Sequence, residues 1–174
     1  MAKVAQRYAK AIFNANSSVM NTVNQDMQLI AKTVSNNHEL QAFLKSPIIR
    51  SEVKTTALQQ IFKNVHNETK ELFKLLKINK RFDILADIAN QFTSIYNDHN
   101  HIENVVVTTA TPITKEIEDK VINKVKNVTD KKLVLNNVID PSIIGGFIIR
   151  VGDIQFNESV KHKLQTIKRE LVVK

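Results

Sequence analysis

The first 96 residues repeat one pattern, in which apolar side chains recur every three or four positions, the period of an amphipathic helix. The opening face, for example, includes Val4, Tyr8, Ile12 and Val19, and five further segments of this kind follow. The whole chain of 174 residues holds only three glycines and three prolines. Because a turn-rich β-sandwich or barrel needs many more of both, the pattern predicts a mainly helical protein that begins with a six-helix bundle.

The pattern changes after the polar stretch 97–104, NDHNHIEN. The next five residues, VVVTT at 105–109, are all β-branched and are typical of a buried strand. The remaining segments have the order helix, strand, strand, helix. The sequence therefore predicts two domains: a helical bundle at 1–104 and a small α/β domain at 105–174, with the element order β-α-β-β-α.

The chain is basic, with 25 lysines and arginines against 17 acidic residues, a formal charge of +8 and a pI near 9.7. Such a balance suits nucleic acid, an anionic membrane surface or an acidic protein partner. No run of five like charges occurs, and both predicted domains share the excess. This distribution favours an ordinary solvated surface, and a nucleic-acid-binding or regulatory module stands as the alternative.

The residue types that carry out catalysis are not arranged in any recognisable constellation. The chain has no cysteine and no Gly-X-Ser-X-Gly motif, and an apolar strand rather than a helix follows its paired glycines, Gly145 and Gly146. His99 and His101 lie in the polar stretch, where solvation explains them better than a metal does. We therefore expect no cofactor, no metal and no catalytic residue. A connector or binding protein is favoured over an enzyme.

Four motifs, in order along the chain, resemble those of the delta subunit family of F-type ATP synthase, which includes the mitochondrial oligomycin-sensitivity-conferring protein. They are RYAKAIF at 7–13; FLKSP at 43–47 with Lys54; LFKLL at 72–76 with NKR at 79–81; and VIDPSIIGGFIIRVGD at 138–153. The last is the most specific. Together they cover essentially the whole chain.

The resemblance implies a non-catalytic stator subunit in the peripheral stalk, which links the α3β3 head to the membrane-anchored b subunits and so couples proton flow to ATP synthesis. Domain 1–104 is expected to bind the N-terminal segment of an α subunit. Domain 105–174 is expected to bind the C-terminal ends of the b subunits. No nucleic acid is expected among the partners.

In the family, the α-subunit helix lies between the first and fifth helices. The resemblance therefore implies that the partner contacts are Tyr8, Ala11, Ile12 and Ala15 from the first helix, and Leu72, Leu75, Leu76 and Asn79 from the fifth. The recognition would be that of an amphipathic helix laid in a groove. The alternative is that these side chains belong to the core of the bundle, and Ile12 and Leu76 are the ones most compatible with it.

The C-terminal motif is interpreted as structural. Its marked positions are Asp140, Gly145, Gly146, Arg150, Gly152 and Asp153. The paired glycines are expected to shape the strand pair, and Gly152-Asp153 to form a turn. Arg150 is either a solvated charge on a strand or a contact to the stalk, and the first is favoured. The basic face of the last helix could meet acidic groups on the stalk or could simply be solvated.

The location implied by the resemblance is the cytoplasmic face of a bacterial inner membrane, reached through the complex and without insertion. The longest strongly apolar stretch, residues 143–149, is too short to span a bilayer. The first 25 residues carry no acid, which is also typical of an organellar transit peptide. The resemblance instead places them in the first core helix, so an organellar protein is the less favoured alternative.

Overall fold

The computed structural model describes residues 2–15, 19–126 and 129–172. The chain divides into two compact units, Met1–His99 and Asn100–Lys174. The described helices of the first unit are α1 (Ala2–Ala15), α2 (Met20–Asn36), α3 (His38–Lys45), α4 (Ser51–Ile61), α5 (Asn67–Asn79) and α6 (Leu85–His99), with a short 3-10 helix at Phe82–Ile84 before α6.

One apolar core holds the first unit together. Its largest fully buried side chains include Met27 of α2, Phe73 of α5 and Phe92 of α6. Both α1 and α2 pack extensively against α6, which therefore lies at the centre of the unit. The small side chains Ala5 and Ala9 are fully buried on α1, so this helix approaches its neighbours closely. Ile12 lies on the apolar face that the sequence analysis assigned to the first helix, whereas the buried Ala5 and Ala9 were not assigned to that face.

The second unit is a four-stranded sheet with helices. Its elements are β1 (Ile102–Thr109), α7 (Lys115–Lys126), β2 (Lys132–Ile139), a 3-10 helix at Pro141–Ile143, β3 (Phe147–Val151), β4 (Ile154–Asn157) and α8 (Val160–Val172). The strand order is β2-β1-β3-β4, where β1 and β2 are parallel and the other pairs are antiparallel. Val121 and Val125 of α7 pack on the inward side chains of β1 and β3, such as Val107 and Ile149.

The prediction of a mainly helical chain with a small sheet near its C-terminus is confirmed. The predicted strand pattern is wrong by one strand, because β4 occupies residues that the sequence analysis placed between a turn and the last helix. A strand of four residues at the sheet edge carries too little alternation to be distinguished from the start of a helix.

Most of the polar stretch 97–104 belongs to regular elements. Helix α6 continues to His99 and β1 begins at Ile102, so only two residues lie between the elements. The backbone N–H of Lys132 donates to the carbonyl of His101 at 2.8 Å, which extends the pairing of β1 and β2 by one residue before β1. Polar composition therefore reflects exposure here and not a long flexible connection.

None of the helices in the described ranges is both long and apolar enough to cross a membrane.

Candidate partner-binding site

A surface groove runs between α1 and α5. One end is a cavity of about 420 Å³ whose walls include Ala15 of α1 and Asn67 of α5. A second cavity of about 690 Å³ continues it, and its walls include Val4 of α1 and Asn79 of α5. The two cavities share Tyr8, Ala11 and Leu75, so they form one continuous depression. We call it the α1–α5 groove.

The wall residues show that α1 and α5 run antiparallel, because the C-terminal end of α1 meets the N-terminal end of α5. From Val4 to Ala15 the groove follows eleven helical steps, which at 1.5 Å each gives a length of about 16 Å. About three turns of a partner helix match that length. The exposed side chains Ala11 and Ala15, four positions apart on one face of α1, leave room for a second backbone to approach.

The floor and the walls of the groove differ in burial. Ile12 and Leu72 form the floor, with exposed fractions of 8% and 1%. The side chain of Leu75 is 47% exposed on the wall, which leaves an apolar group facing solvent. Such a group is stabilised when a partner covers it. The groove thus combines a buried apolar floor with a solvent-exposed apolar wall.

Seven of the eight residues that the sequence analysis assigned to the contact line this groove: Tyr8, Ala11, Ile12, Ala15, Leu72, Leu75 and Asn79. Leu76 does not line either cavity, and its side chain is fully buried in the core. The helical period explains the difference, because Leu76 points about 100° away from Leu75 around the helix axis. It supports the groove from behind by fixing α5 against the core.

The end of α5 is held by a two-bond C-terminal cap. The N–H of Arg81 donates to the carbonyl of Leu76 at 3.0 Å, and the N–H of Lys80 donates to that of Lys77 at 3.2 Å. Lys80 has the left-handed conformation that this cap requires, with φ of 53°. The side chain of Asn79 adds a bond to the Leu75 carbonyl at 3.0 Å. This cap places Arg81 at one end of the groove.

The groove is also lined by charged side chains, which the sequence analysis did not single out. Arg7, Lys10 and Arg81 border the half near Val4, and Glu68 and Glu71 border the half near Ala15. A helical-wheel comparison would have found the four on α1 and α5, since Arg7, Lys10 and Glu71 directly precede a contact position and Glu68 lies four residues before Leu72. Arg81 lies beyond the end of α5 and would have been missed. The apolar pattern alone draws attention only to the centre of the groove.

The marked positions of the C-terminal motif have structural roles within the second unit. The Asp140 carboxylate accepts a hydrogen bond from the N–H of Ser142 at 2.9 Å, and this bond holds the pKa of Asp140 below its usual value. Gly146 has φ of 76°, and a Cβ there would lie 2.3 Å from the carbonyl oxygen of Glu158. Gly145 lies beside Val160. The motif thus joins β3 to the start of α8.

The rest of the motif forms the hairpin between β3 and β4. Gly152, with φ of 54°, and Asp153 make its two-residue turn. Arg150 is exposed on β3, and its Nε donates to the carbonyl of Gly152 at 3.4 Å.

An apolar surface lies where α8 begins. Ile144 is 70% exposed, and on α8 Val160 is 41% and Leu164 is 56% exposed. Glu158 holds this end of the helix in place through ion pairs to Lys124 and, at 3.2 Å, to Lys163. Hydrogen bonds from these two lysines lower the pKa of Glu158. We call this the α8 surface. It is apolar at Ile144, Val160 and Leu164, it has lysines beside it, and Glu158 holds the start of the helix in place.

No cluster of three histidine, cysteine, aspartate or glutamate side chains able to hold a metal occurs within residues 2–15, 19–126 and 129–172. The observed architecture defines a class of protein. It is a two-unit protein, in which a helical unit has a surface groove about three helical turns long and a small α/β unit has an exposed apolar surface at the start of α8.

Comparisons with known proteins identify the family. The family model of the ATP synthase delta (OSCP) subunit matches residues 4–171. ATP synthase subunit delta of Flavobacterium johnsoniae is 48% identical, and that of Flavobacterium psychrophilum 45%, each over 97% of both chains. A chain in the structure of the Toxoplasma gondii mitochondrial ATP synthase hexamer has the same fold, with a TM-score of 0.70 and 22% identity over 97% of both chains.

The chain belongs to the ATP synthase delta (OSCP) subunit family. It is a structural, non-catalytic subunit of the peripheral stalk, the stator of the ATP synthase. The resemblance that the four sequence motifs carry is thereby confirmed.

Proposed function

We propose that this subunit links the α subunits of the head to the b subunits of the stalk and that each of its two units binds one of these partners. The helical unit binds the amphipathic N-terminal helix of an α subunit in the α1–α5 groove. The α/β unit binds the C-terminal ends of the b subunits, and the protein acts at the cytoplasmic face of a bacterial membrane. The joint resists the torque of the rotor, so that proton flow drives ATP synthesis instead of turning the head.

The observation that carries the first half of the proposal is the uncovered wall at Leu75 opposite the small side chains Ala11 and Ala15. A helix that lays its apolar face there covers Leu75 and reaches the floor at Ile12 and Leu72. Burial of the exposed half of a leucine side chain contributes about 1 kcal/mol, and several such contacts along three turns suffice for a specific complex.

The second half of the proposal, that the α/β unit binds the b subunits, rests on the α8 surface. Leu164 and Val160 expose apolar side chains four positions apart on one helix face, and Ile144 lies near them through the contact between Gly145 and Val160. Lysines at 161, 163 and 168 border that face. The surface suits an amphipathic helix with acidic flanks.

The test of the groove is a titration of the full chain with a peptide from the N-terminus of the same organism's α subunit, followed through backbone amide shifts. Ala11→Trp fills the groove from an exposed position, so binding is expected to weaken at least tenfold while the fold is kept. Gln6→Trp is the matched control, because Gln6 is exposed on α1 and lines neither cavity. Equal weakening by both variants, or by neither, would contradict the groove assignment.

The test of the stalk contact uses the C-terminal segment of the b subunit as the titrant. Leu164→Glu places a charge in the apolar surface, and the affinity is expected to fall at least tenfold. Thr166→Glu adds the same charge on another side of α8, at an exposed position. If the two variants bind the b segment equally well, α8 is not the contact.

A further inference from the structure

The charges that border the α1–α5 groove are segregated along its length. At one end, Arg7, Lys10 and Arg81 are exposed and form no ion pair with any residue in the described ranges. At the other end are two carboxylates, Glu68 and Glu71. The centre, which contains Ala11 and Leu75, is apolar. The groove therefore has an electrostatic direction as well as an apolar floor.

The ion pairs at the acidic end of the groove do not change the sign of the charge there. Glu71 contacts Lys74 at 2.6 Å, and both side chains are about 60% exposed. Glu68 contacts His66, and both of these are about one-third exposed. Exposed pairs of this kind are worth less than about 1 kcal/mol and exchange readily with other partners. A docked cation can therefore take the place of Lys74.

We propose that the groove selects a helix with segregated charges and fixes the direction in which that helix lies. The preferred occupant is an amphipathic helix of about three turns, with acidic side chains at the end over Arg7, Lys10 and Arg81 and basic side chains at the end over Glu68 and Glu71. This inference rests on the proposed function, since it concerns the same site.

Side-chain charges decide this direction more strongly than the dipole of the bound helix does. The dipole is equivalent to about half an elementary charge at each helix end. The groove presents three cations at one end and two carboxylates at the other, within reach of whole charges on the partner. A helix whose acids lie near its N-terminus therefore binds with that terminus over Arg81, and one whose acids lie near its C-terminus binds the other way round.

The experiment uses the full chain and three synthetic peptides that share one leucine and alanine face. The first carries glutamates in its N-terminal third and lysines in its C-terminal third, the second carries them in the reverse order, and the third carries glutamines in both places. Each has a nitroxide label at its N-terminus. The measurement is the paramagnetic broadening of backbone amides at Asn79 and at Asn67, which lie at opposite ends of α5.

The first peptide is expected to broaden Asn79, and the second is expected to broaden Asn67. If both peptides broaden the same end, the inference is overturned while the groove stands. If none of the three peptides binds, including the neutral one, the groove itself is not a helix site and the proposed function fails. Binding of the neutral peptide as tightly as the charged ones would also overturn the inference.

A charge reversal tests the same point on the protein side. Arg7→Glu combined with Arg81→Glu is expected to weaken binding of both charged peptides about fivefold and to leave the neutral peptide within twofold. Lys32→Glu with Lys63→Glu is the matched control, because both lysines are exposed and line neither part of the groove. Equal losses in the two double variants would mean that only net charge acts, and would overturn the inference.

Discussion

The carboxylate of Asp26, on α2, accepts a hydrogen bond of 2.7 Å from the hydroxyl of Thr69 in the first turn of α5. The same oxygen accepts the backbone N–H of His66 at 2.7 Å. The N-cap residue of α5 is His66, and its own side chain makes no capping bond. Asp26 therefore caps α5 from a different helix, forty residues away, and fixes the start of the helix that forms one wall of the groove.

Replacement of Asp26 by alanine is expected to lower the free energy of unfolding by about 1–3 kcal/mol. The reason is that a half-buried N–H and a buried hydroxyl both lose their acceptor. Asp26→Asn keeps one acceptor oxygen and is expected to cost less. Urea unfolding of the two variants, monitored by circular dichroism, measures the difference. An unchanged midpoint for the alanine variant would show that water replaces the carboxylate.

Lys54 has a comparable role at α3. Its Nζ donates to the carbonyls of Leu44 and Ser46, both at 2.7 Å, and so satisfies groups that the end of α3 leaves without partners. Lys54→Met is expected to cost about 1–3 kcal/mol of unfolding free energy. The resemblance motif pairs FLKSP at 43–47 with this lysine, and the two hydrogen bonds give a physical reason for that pairing.

The contribution of Lys54 to the free energy of unfolding is expected to increase at alkaline pH. Burial lowers the pKa of this lysine below its usual 10.5, and Asp83 partly opposes the shift. As the pH rises toward 10.5, the folded state releases the proton before the unfolded state does, so the folded state gains stability in that window. The stability difference between the wild type and Lys54→Met is thus expected to grow with alkaline pH. A difference that shrinks over the same window would contradict this.

The helical period identifies the apolar side chains of the groove and its charged rim to different extents. Apolar residues at helical spacing indicate the buried face of a helix, and Ile12 and Leu72 follow that rule, whereas Leu75 is 47% exposed. The period does not show which of two adjacent leucines faces a neighbour and which faces solvent. Leu75 and Leu76 are the example: the sequence analysis assigned both to the contact and named Leu76 as compatible with the core, where the packing of α5 places it.

The second unit was harder to predict for two different reasons. The edge strand β4 has only four residues, so its pattern is too short to identify. The polar stretch 97–104 shows no helix or strand pattern in the sequence, although residues 97–99 belong to α6 and residues 102–104 belong to β1. Tertiary pairing therefore overrides local composition at both places. Gly146 is a position that only a residue without Cβ fits, because a Cβ there would lie 2.3 Å from the carbonyl oxygen of Glu158.

Lys80→Gly is expected to stabilise the protein by about 0.5–1 kcal/mol. Lys80 has a positive φ of 53°, which strains any residue that has a Cβ, and glycine adopts this conformation without strain. Lys74→Gly is expected to lower the stability instead, since Lys74 is an exposed residue inside α5, where glycine costs about 1 kcal/mol. Thermal unfolding of both variants tests the pair. If both variants lose stability, strain at Lys80 is not the controlling factor.

The three glycines of the C-terminal motif are expected to respond to alanine in a graded series. Gly146→Ala is the most damaging, at about 2 kcal/mol or more, because it combines a positive φ with a backbone clash at 2.3 Å. Gly152→Ala has the positive φ but nothing closer than 3.8 Å, and Gly145→Ala meets only Val160 at 3.4 Å. Chemical denaturation measures the order. A Gly145→Ala variant as unstable as Gly146→Ala would contradict it.

The start of α8 is expected to loosen in acid because of Glu158. Its ion pairs with Lys124 and Lys163 lower its pKa below the usual 4.5, so its contribution to stability is complete above that value and is lost as the pH falls through the folded pKa. The protection factors of the amides in the first turn of α8, which correct the exchange rates for their intrinsic pH dependence, are therefore expected to fall below about pH 4.5. This fall is expected to vanish in Glu158→Gln, whose protection factors are already lower at neutral pH. Glu116→Gln, an exposed position on α7, keeps the wild-type profile. Persistence of the acid effect in Glu158→Gln would assign it to another group.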